Sequence, residues 1–105
     1  MTDKPTNCKD WIAIHNFQPI EPPKLRVTGR CTFPTPGFKV TFKHHVPQGI
    51  NPLILLLDKI VTPPTGIEPQ HVVTQEVKYE EKTSIRYTDV EILPDGVTIK
   101  VQNVE

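Results

Sequence analysis

Residues 25–33 read LRVTGRCTF, a run in which apolar and polar side chains alternate with a period of two. Leucine, valine, cysteine and phenylalanine share one face, and arginine and threonine share the other. Successive side chains of a β-strand point to opposite sides of the sheet, so this run predicts a strand with one buried face. The turn sequence PTPG follows at 34–37, where Gly37 can adopt the positive φ that a type II turn requires.

Six other runs along the chain also predict strands. The run 53–57 is continuously apolar rather than alternating, which is typical of a central strand covered on both faces. Two tight turns predict hairpins, one through PTPG and one through LPDG at 93–96. The run 84–92 changes face partway, which predicts a bulge near Thr88-Asp89. The predicted strands cover residues 11–17, 25–33, 38–46, 53–61, 71–80, 84–92 and 97–101.

The 12 prolines of this 105-residue chain lie outside the alternating runs. Proline cannot donate a hydrogen bond to a β-ladder, so it collects at strand ends and in turns. Two long proline-containing loops, 47–52 and 62–69, flank the predicted strand 53–61. Because loops carry most binding residues, we expect these two to form the contact surface for any partner.

The predicted elements define an all-β fold. We expect a seven-stranded antiparallel β-sandwich, immunoglobulin-like in architecture, with a small β-barrel as the alternative. The spacing of Cys8, Trp11 and Cys31 is too short for a true immunoglobulin domain, which places a tryptophan between distant cysteines. Residues 1–10 are expected to be a flexible N-terminal segment, and residues 11–105 a single domain with Trp11 as a core anchor.

Charge and hydropathy restrict the classes of partner. Lysine and arginine number 12, and aspartate and glutamate also number 12, so the formal net charge is zero. Nucleic-acid-binding proteins usually carry a clustered basic excess, and we therefore expect no nucleic-acid partner. The apolar run 53–57 is too short to cross a bilayer, and the N-terminus lacks an apolar signal region. A soluble cytoplasmic protein is expected, or an exported one if a signal peptide has been removed.

The two cysteines can be interpreted in two ways. In an exported protein Cys8 and Cys31 could form a disulfide worth about 3 kcal/mol. In a cytosolic protein both would stay reduced, and Cys31 would be a small core residue. The absence of a signal peptide favours the reduced form.

Histidines are the strongest candidates for chemistry. His44 and His45 are adjacent, so on a strand they point to opposite faces, His44 toward the core and His45 toward solvent. No zinc-binding spacing of cysteine or histidine is present. A small metal-binding protein that uses His44, His45 or His71 is an alternative function, and we commit to no metal, cofactor or catalytic residue.

The segment QPIEPPK, residues 18–24, contains a P-x-x-P motif. Such spacing fits the polyproline II helix that aromatic grooves bind, but a rigid linker into the strand at Leu25 explains it more simply. Catalytic motifs such as G-x-S-x-G and H-E-x-x-H are missing from the sequence. We therefore expect a non-catalytic binding or protein-interaction module, with a minimal hydrolase or isomerase as a further alternative.

Overall fold

In the computed structural model, residues 7–66 and 70–105 are described, and together they form an all-β fold of seven strands. Within these two ranges there is no helix, and hence none that could cross a membrane. The first six residues of the predicted N-terminal segment, and the end of the predicted loop 62–69, lie outside the described residues. The strands are β1 (Asn7–Asn16), β2 (Lys24–Phe33), β3 (Lys39–His44), β4 (Ile54–Thr62), β5 (Val73–Lys82), β6 (Asp89–Leu93) and β7 (Val97–Val104).

All seven strands belong to one mixed sheet with the order β3-β4-β6-β7-β1-β2-β5. The pairs β1–β7 and β4–β6 are parallel, and the other four pairs are antiparallel. The prediction of an antiparallel fold is therefore wrong, because alternation along a strand reports which face is buried and not the direction of the neighbouring strand. β7 pairs with β6 through residues 97–100 and with β1 through residues 101–104.

The sheet curls until its two edge strands, β3 and β5, face each other along a line that we call the seam. The seam carries side-chain contacts rather than a backbone ladder, and three of these contacts join residues 37 positions apart, as in an in-register parallel pair. The architecture is thus a nearly closed, barrel-like sheet, closer to the alternative barrel than to the predicted immunoglobulin-like sandwich, which is not confirmed. The three contacts with this spacing are Phe38–Gln75, Phe42–Tyr79 and His44–Glu81, and the rings of His44 and Tyr79 also face each other across the seam.

One of the two predicted hairpins is present. β6 and β7 pair as an antiparallel hairpin across the LPDG turn, in which Gly96 has a φ of 76°. The hairpin predicted through PTPG is wrong, because β2 lies between β1 and β5 while β3 pairs with β4. The PTPG turn instead carries the chain across the seam, from β2 beside one edge strand to β3 at the other edge, and Gly37 has the expected positive φ, at 98°.

The strand boundaries differ most from prediction at β6 and β1. β6 begins only at Asp89, and the face change in the run 84–92 comes from a loop whose Thr88 N–H donates to the Leu53 carbonyl at 2.8 Å. A bulge lies instead in β1, between Lys9 and Ile12, where Asp10 has a φ of 59°. β1 starts at Asn7, within the segment that the sequence analysis set apart as flexible.

The cysteines are oxidised in this structure. Cys8 and Cys31 are directly opposite each other on β1 and β2 and form a disulfide. The expectation of two reduced thiols is therefore wrong here, because a cross-strand register that the sequence does not specify brings the two side chains together.

The barrel interior is filled by the inward-facing residues of all seven strands. β4 supplies Leu55 and Leu57 to this core, as its apolar sequence predicts. Its outward-facing Leu56 is half-buried beneath the β3–β4 loop, where Gly49 lies against it. Burial of these apolar side chains is the main force that holds the fold together. The fully buried large residues are Phe33, Leu25, Leu55, Leu57, Ile92, His15, Val27, Val90 and Cys31.

Candidate ligand groove

A groove of about 400 Å³ lies on the outer surface of the sheet, beneath the connection between β1 and β2. Its floor is built from alternate residues of these two strands, Ile14 and Asn16 on β1 and Lys24 and Arg26 on β2. In the β1–β2 register Ile14 is opposite Arg26, and Asn16 is opposite Lys24. Residues opposite each other share a face, so the register fixes this set of side chains.

An apolar side chain faces outward here because isoleucine occupies an outward-facing position of β1. Ala13 and His15 point into the core and are buried. Ile14, between them, therefore points out of the sheet. A groove of this volume, with an outward-facing isoleucine in a mostly polar floor, lies at the small end of the size range of ligand sites.

The wall of the groove is the proline-rich segment that the sequence analysis interpreted as a linker. Ile20, Glu21 and Pro22 line it, and the Ile20 side chain is 93% exposed. The segment is held at both ends: Gln18 N–H donates to Asn16 Oδ1 at 2.9 Å, and a backbone bond of 3.0 Å joins residues 83 and 23. Proline fixes φ, so the wall is stiff before any ligand arrives.

Charges around the groove divide into a paired and an unpaired set. Arg26 Nε donates to Glu80 Oε2 at 2.7 Å, and this hydrogen bond holds the pKa of Glu80 below its ordinary value. Lys24 lies directly opposite Lys82 of β5. Within residues 7–66 and 70–105, neither of these two lysines forms an ion pair.

The histidines singled out from the sequence are not brought together. His44 Nε2 contacts Glu81 Oε1 at 2.6 Å across the seam, and His45 Nδ1 contacts Asp58 Oδ1 at 2.8 Å. His44 lies at the end of β3 on the face of the inward residues, as predicted, although it is exposed there. Among the residues described, no group of three metal-ligating side chains occurs.

His71 lies just before β5, far from this pair along the barrel. The ladder between Val73 and Glu81 extends about 26 Å at the usual rise per residue of a strand. Since Glu81 contacts His44, this length separates His71 from the other two histidines. The three side chains proposed for a metal site therefore lie near different ends of the barrel.

The two loops expected to contact a partner lie at opposite ends of β4. One precedes β4 and the other follows it, and β4 has nine residues, which extend about 30 Å. The first loop folds back onto β4, where the Gln48 side chain bonds both the N–H and the carbonyl of Leu56, each at 2.9 Å. The two loops are therefore separate candidate surfaces.

The seam also holds a tyrosine. Tyr79 donates its hydroxyl hydrogen to Glu81 Oε1, the same oxygen that His44 contacts. Burial raises the pKa of Tyr79 above its ordinary value, and the hydrogen bond to Glu81 adds to this effect. Tyr79 is therefore a hydrogen-bond donor at neutral pH, and the cluster joins β3 to β5.

Sequence reasoning missed two buried polar groups. His15 is fully buried and its Nε2–H donates to the Thr83 carbonyl at 2.7 Å, while Nδ1 has no partner among the described residues. Lys59 is nearly buried and its Nζ contacts Asp95 Oδ2 at 2.7 Å. Trp11 and Ala13 face inward, and His15 continues their alternation. The sequence could therefore have placed His15 in the core.

The chain matches no known protein family, curated protein or solved structure. The interpretation of the groove therefore depends on its own geometry, that is, on the side chains that β1, β2 and their connection place around it.

Proposed function

We propose that this protein is a non-catalytic interaction module that binds a segment of a partner protein in the groove between the β1–β2 connection and the sheet. The observation that carries the proposal is the groove itself, with Ile14 in its floor and a highly exposed Ile20 in its wall. An exposed large apolar residue beside a concave surface is a feature of binding sites, because contact with a partner removes it from water.

Rigidity of the wall supports the same proposal. The prolines of the connection and its two hydrogen-bonded ends restrict the conformations that the free protein can adopt. A preformed site loses little conformational entropy on binding, so more of the contact energy appears as affinity. A flexible linker would need neither feature.

The other two functions have weaker support. A minimal hydrolase or isomerase would use a histidine beside a carboxylate, and the chain has such pairs at His44–Glu81 and His45–Asp58. None of these four residues lines the groove. The metal-binding alternative, which uses His44, His45 or His71, has weaker support because no group of three metal-ligating side chains occurs among the described residues.

The proposal is tested by selecting phage-displayed random peptides on the immobilised wild-type protein and measuring the affinity of the enriched peptides. The variant Ile20→Ser should weaken them about tenfold or more, because burying an isoleucine side chain contributes roughly 1.5–3 kcal/mol. Ile50→Ser is the matched control, since Ile50 is an equally exposed isoleucine on the β3–β4 loop. Equal affinity for wild type and Ile20→Ser would refute the groove as the binding site.

A further inference from the structure

We infer that the groove selects a peptide in extended conformation that carries an apolar residue and, two positions away, an aspartate or glutamate. This inference rests on the proposed function and adds the chemistry of the partner. It follows from the rows of outward-facing side chains that cross β1, β2 and β5 beside the connection.

The first step is the unpaired charge. Lys24 and Lys82 face each other across neighbouring strands, with Cβ atoms about 4.5–5.5 Å apart. Two like charges at this separation repel, and no described carboxylate forms an ion pair with either lysine. A carboxylate that reaches both ammonium groups would relieve this repulsion.

The second step is the net charge of the side chains around the groove. Arg26 is bonded to Glu80, and Lys24 is close enough to Glu80 to help lower the pKa of that carboxyl group. Glu21 is the one carboxylate that lines the groove. With Arg26 and Glu80 cancelling, two lysines and one glutamate leave the site with one excess positive charge, which is complementary to an anionic partner.

The third step is the distance between the apolar and the basic part of the groove. Ile14 is opposite Arg26, so it is diagonal to Lys24, and diagonal neighbours are about 7–8 Å apart. Residues two apart in an extended chain lie on the same face, about 6.6–6.8 Å apart. A peptide lying along the groove can therefore place an apolar side chain between Ile14 and Ile20. The acidic side chain two positions away in the peptide then reaches Lys24.

The test uses the peptides enriched on wild-type protein and a second set in which each acidic residue is replaced by its amide. We expect the enriched peptides to share the apolar-x-acidic spacing. The amide peptides should bind about fivefold more weakly, as should the acidic peptides on Lys24→Gln or Lys82→Gln, a loss at the upper end for exposed ion pairs. Lys78→Gln is the matched control, because Lys78 lies on the same face of β5 but opposite Thr28.

The outcomes separate this inference from the proposed function. If amide and acidic peptides bind equally while Ile20→Ser still weakens binding, the inference of an acidic partner is wrong and the groove remains the binding site. If the enriched peptides bind Ile20→Ser as tightly as wild type, both this inference and the proposed function are wrong. A wild-type dimer in sedimentation that Ile20→Ser dissociates would identify a second copy of the chain as the occupant, and this too would overturn the inference.

Discussion

Replacing Gly29 with alanine should destabilise the barrel, because the ring of Trp11 occupies the space that a side chain would need. A Cβ atom at Gly29 would lie 2.5 Å from Cε3 of Trp11 and 2.7 Å from Cζ3. Non-bonded carbon atoms prefer separations of about 3.5–4.0 Å, so the ring would have to move by roughly 1 Å. Movement is opposed by Phe42, whose ring lies edge-on to Trp11 with centroids 6.1 Å apart.

The expected loss follows from this overlap. Adding one methyl group to a packed interior usually costs about 1–3 kcal/mol, and the short distances to three ring atoms favour the upper half of that range. A loss of about 2 kcal/mol would lower the melting temperature of a domain of this size by on the order of 10 °C. Trp11 is the only tryptophan, so its fluorescence should also change in the folded variant.

The measurement is thermal and urea unfolding of Gly29→Ala, with Gly49→Ala as the control. A Cβ at Gly49 would lie 3.4 Å from Cδ1 of Leu56, an ordinary contact, so that variant should unfold like wild type. In a Trp11→Leu background the Gly29→Ala change should cost much less, since the clashing ring is gone. Wild-type stability and unchanged tryptophan emission in Gly29→Ala would refute the packing argument.

Two further predictions concern bonds between β1, β2 and β5. Reducing the Cys8–Cys31 disulfide, whose cysteines are 23 residues apart, should lower the free energy of unfolding by about 3 kcal/mol, because the unfolded chain gains conformational freedom. Coincident urea curves with and without dithiothreitol would contradict this. The hydrogen bond from Arg26 lowers the pKa of Glu80, so the stability from this pair is present above about pH 4.5 and is lost as the pH falls through the lowered pKa. An NMR titration should show a higher pKa for Glu80 in Arg26→Gln, and an unchanged value would show that the pair does not form in solution.

The strands themselves could be predicted from alternation and proline positions. β2 is the clearest case: the predicted run 25–33 differs from the observed strand by one residue. β4 is another, since its continuous apolar sequence matches a strand with neighbours on both sides and a loop over its outer face. These features depend on residues close together in sequence, and local patterns report them well.

The arrangement of the strands could not be predicted in the same way. The PTPG turn has a local sequence that suits a hairpin, yet β2 lies inside the sheet beside β5 while β3 forms the opposite edge. Pairing depends on which distant strands bury the most apolar surface against each other, and no local pattern encodes that choice. The parallel pairs β1–β7 and β4–β6 are of this kind.

The groove was partly visible in the sequence. The prolines predict a stiff connection, but residues 17–23 separate β1 from β2, and only the β1–β2 register brings the side chains of Ile14 and Lys24 to one surface. The bulge between Lys9 and Ile12 shifts this register by an amount that the sequence alone does not give. Lys82 is farther still, and its position depends on the pairing of β2 with β5.

The double pairing of β7 has a consequence for how the two halves of the sheet depend on each other. The ladders β1–β2–β5 and β3–β4–β6 involve only residues up to 93, so neither needs β7 for its own backbone pairing. Among the described residues, backbone ladders join these two half-sheets only through residues 97–104. The barrel is therefore two three-stranded sheets interleaved in sequence, and β7 is the strand that links them into one structure.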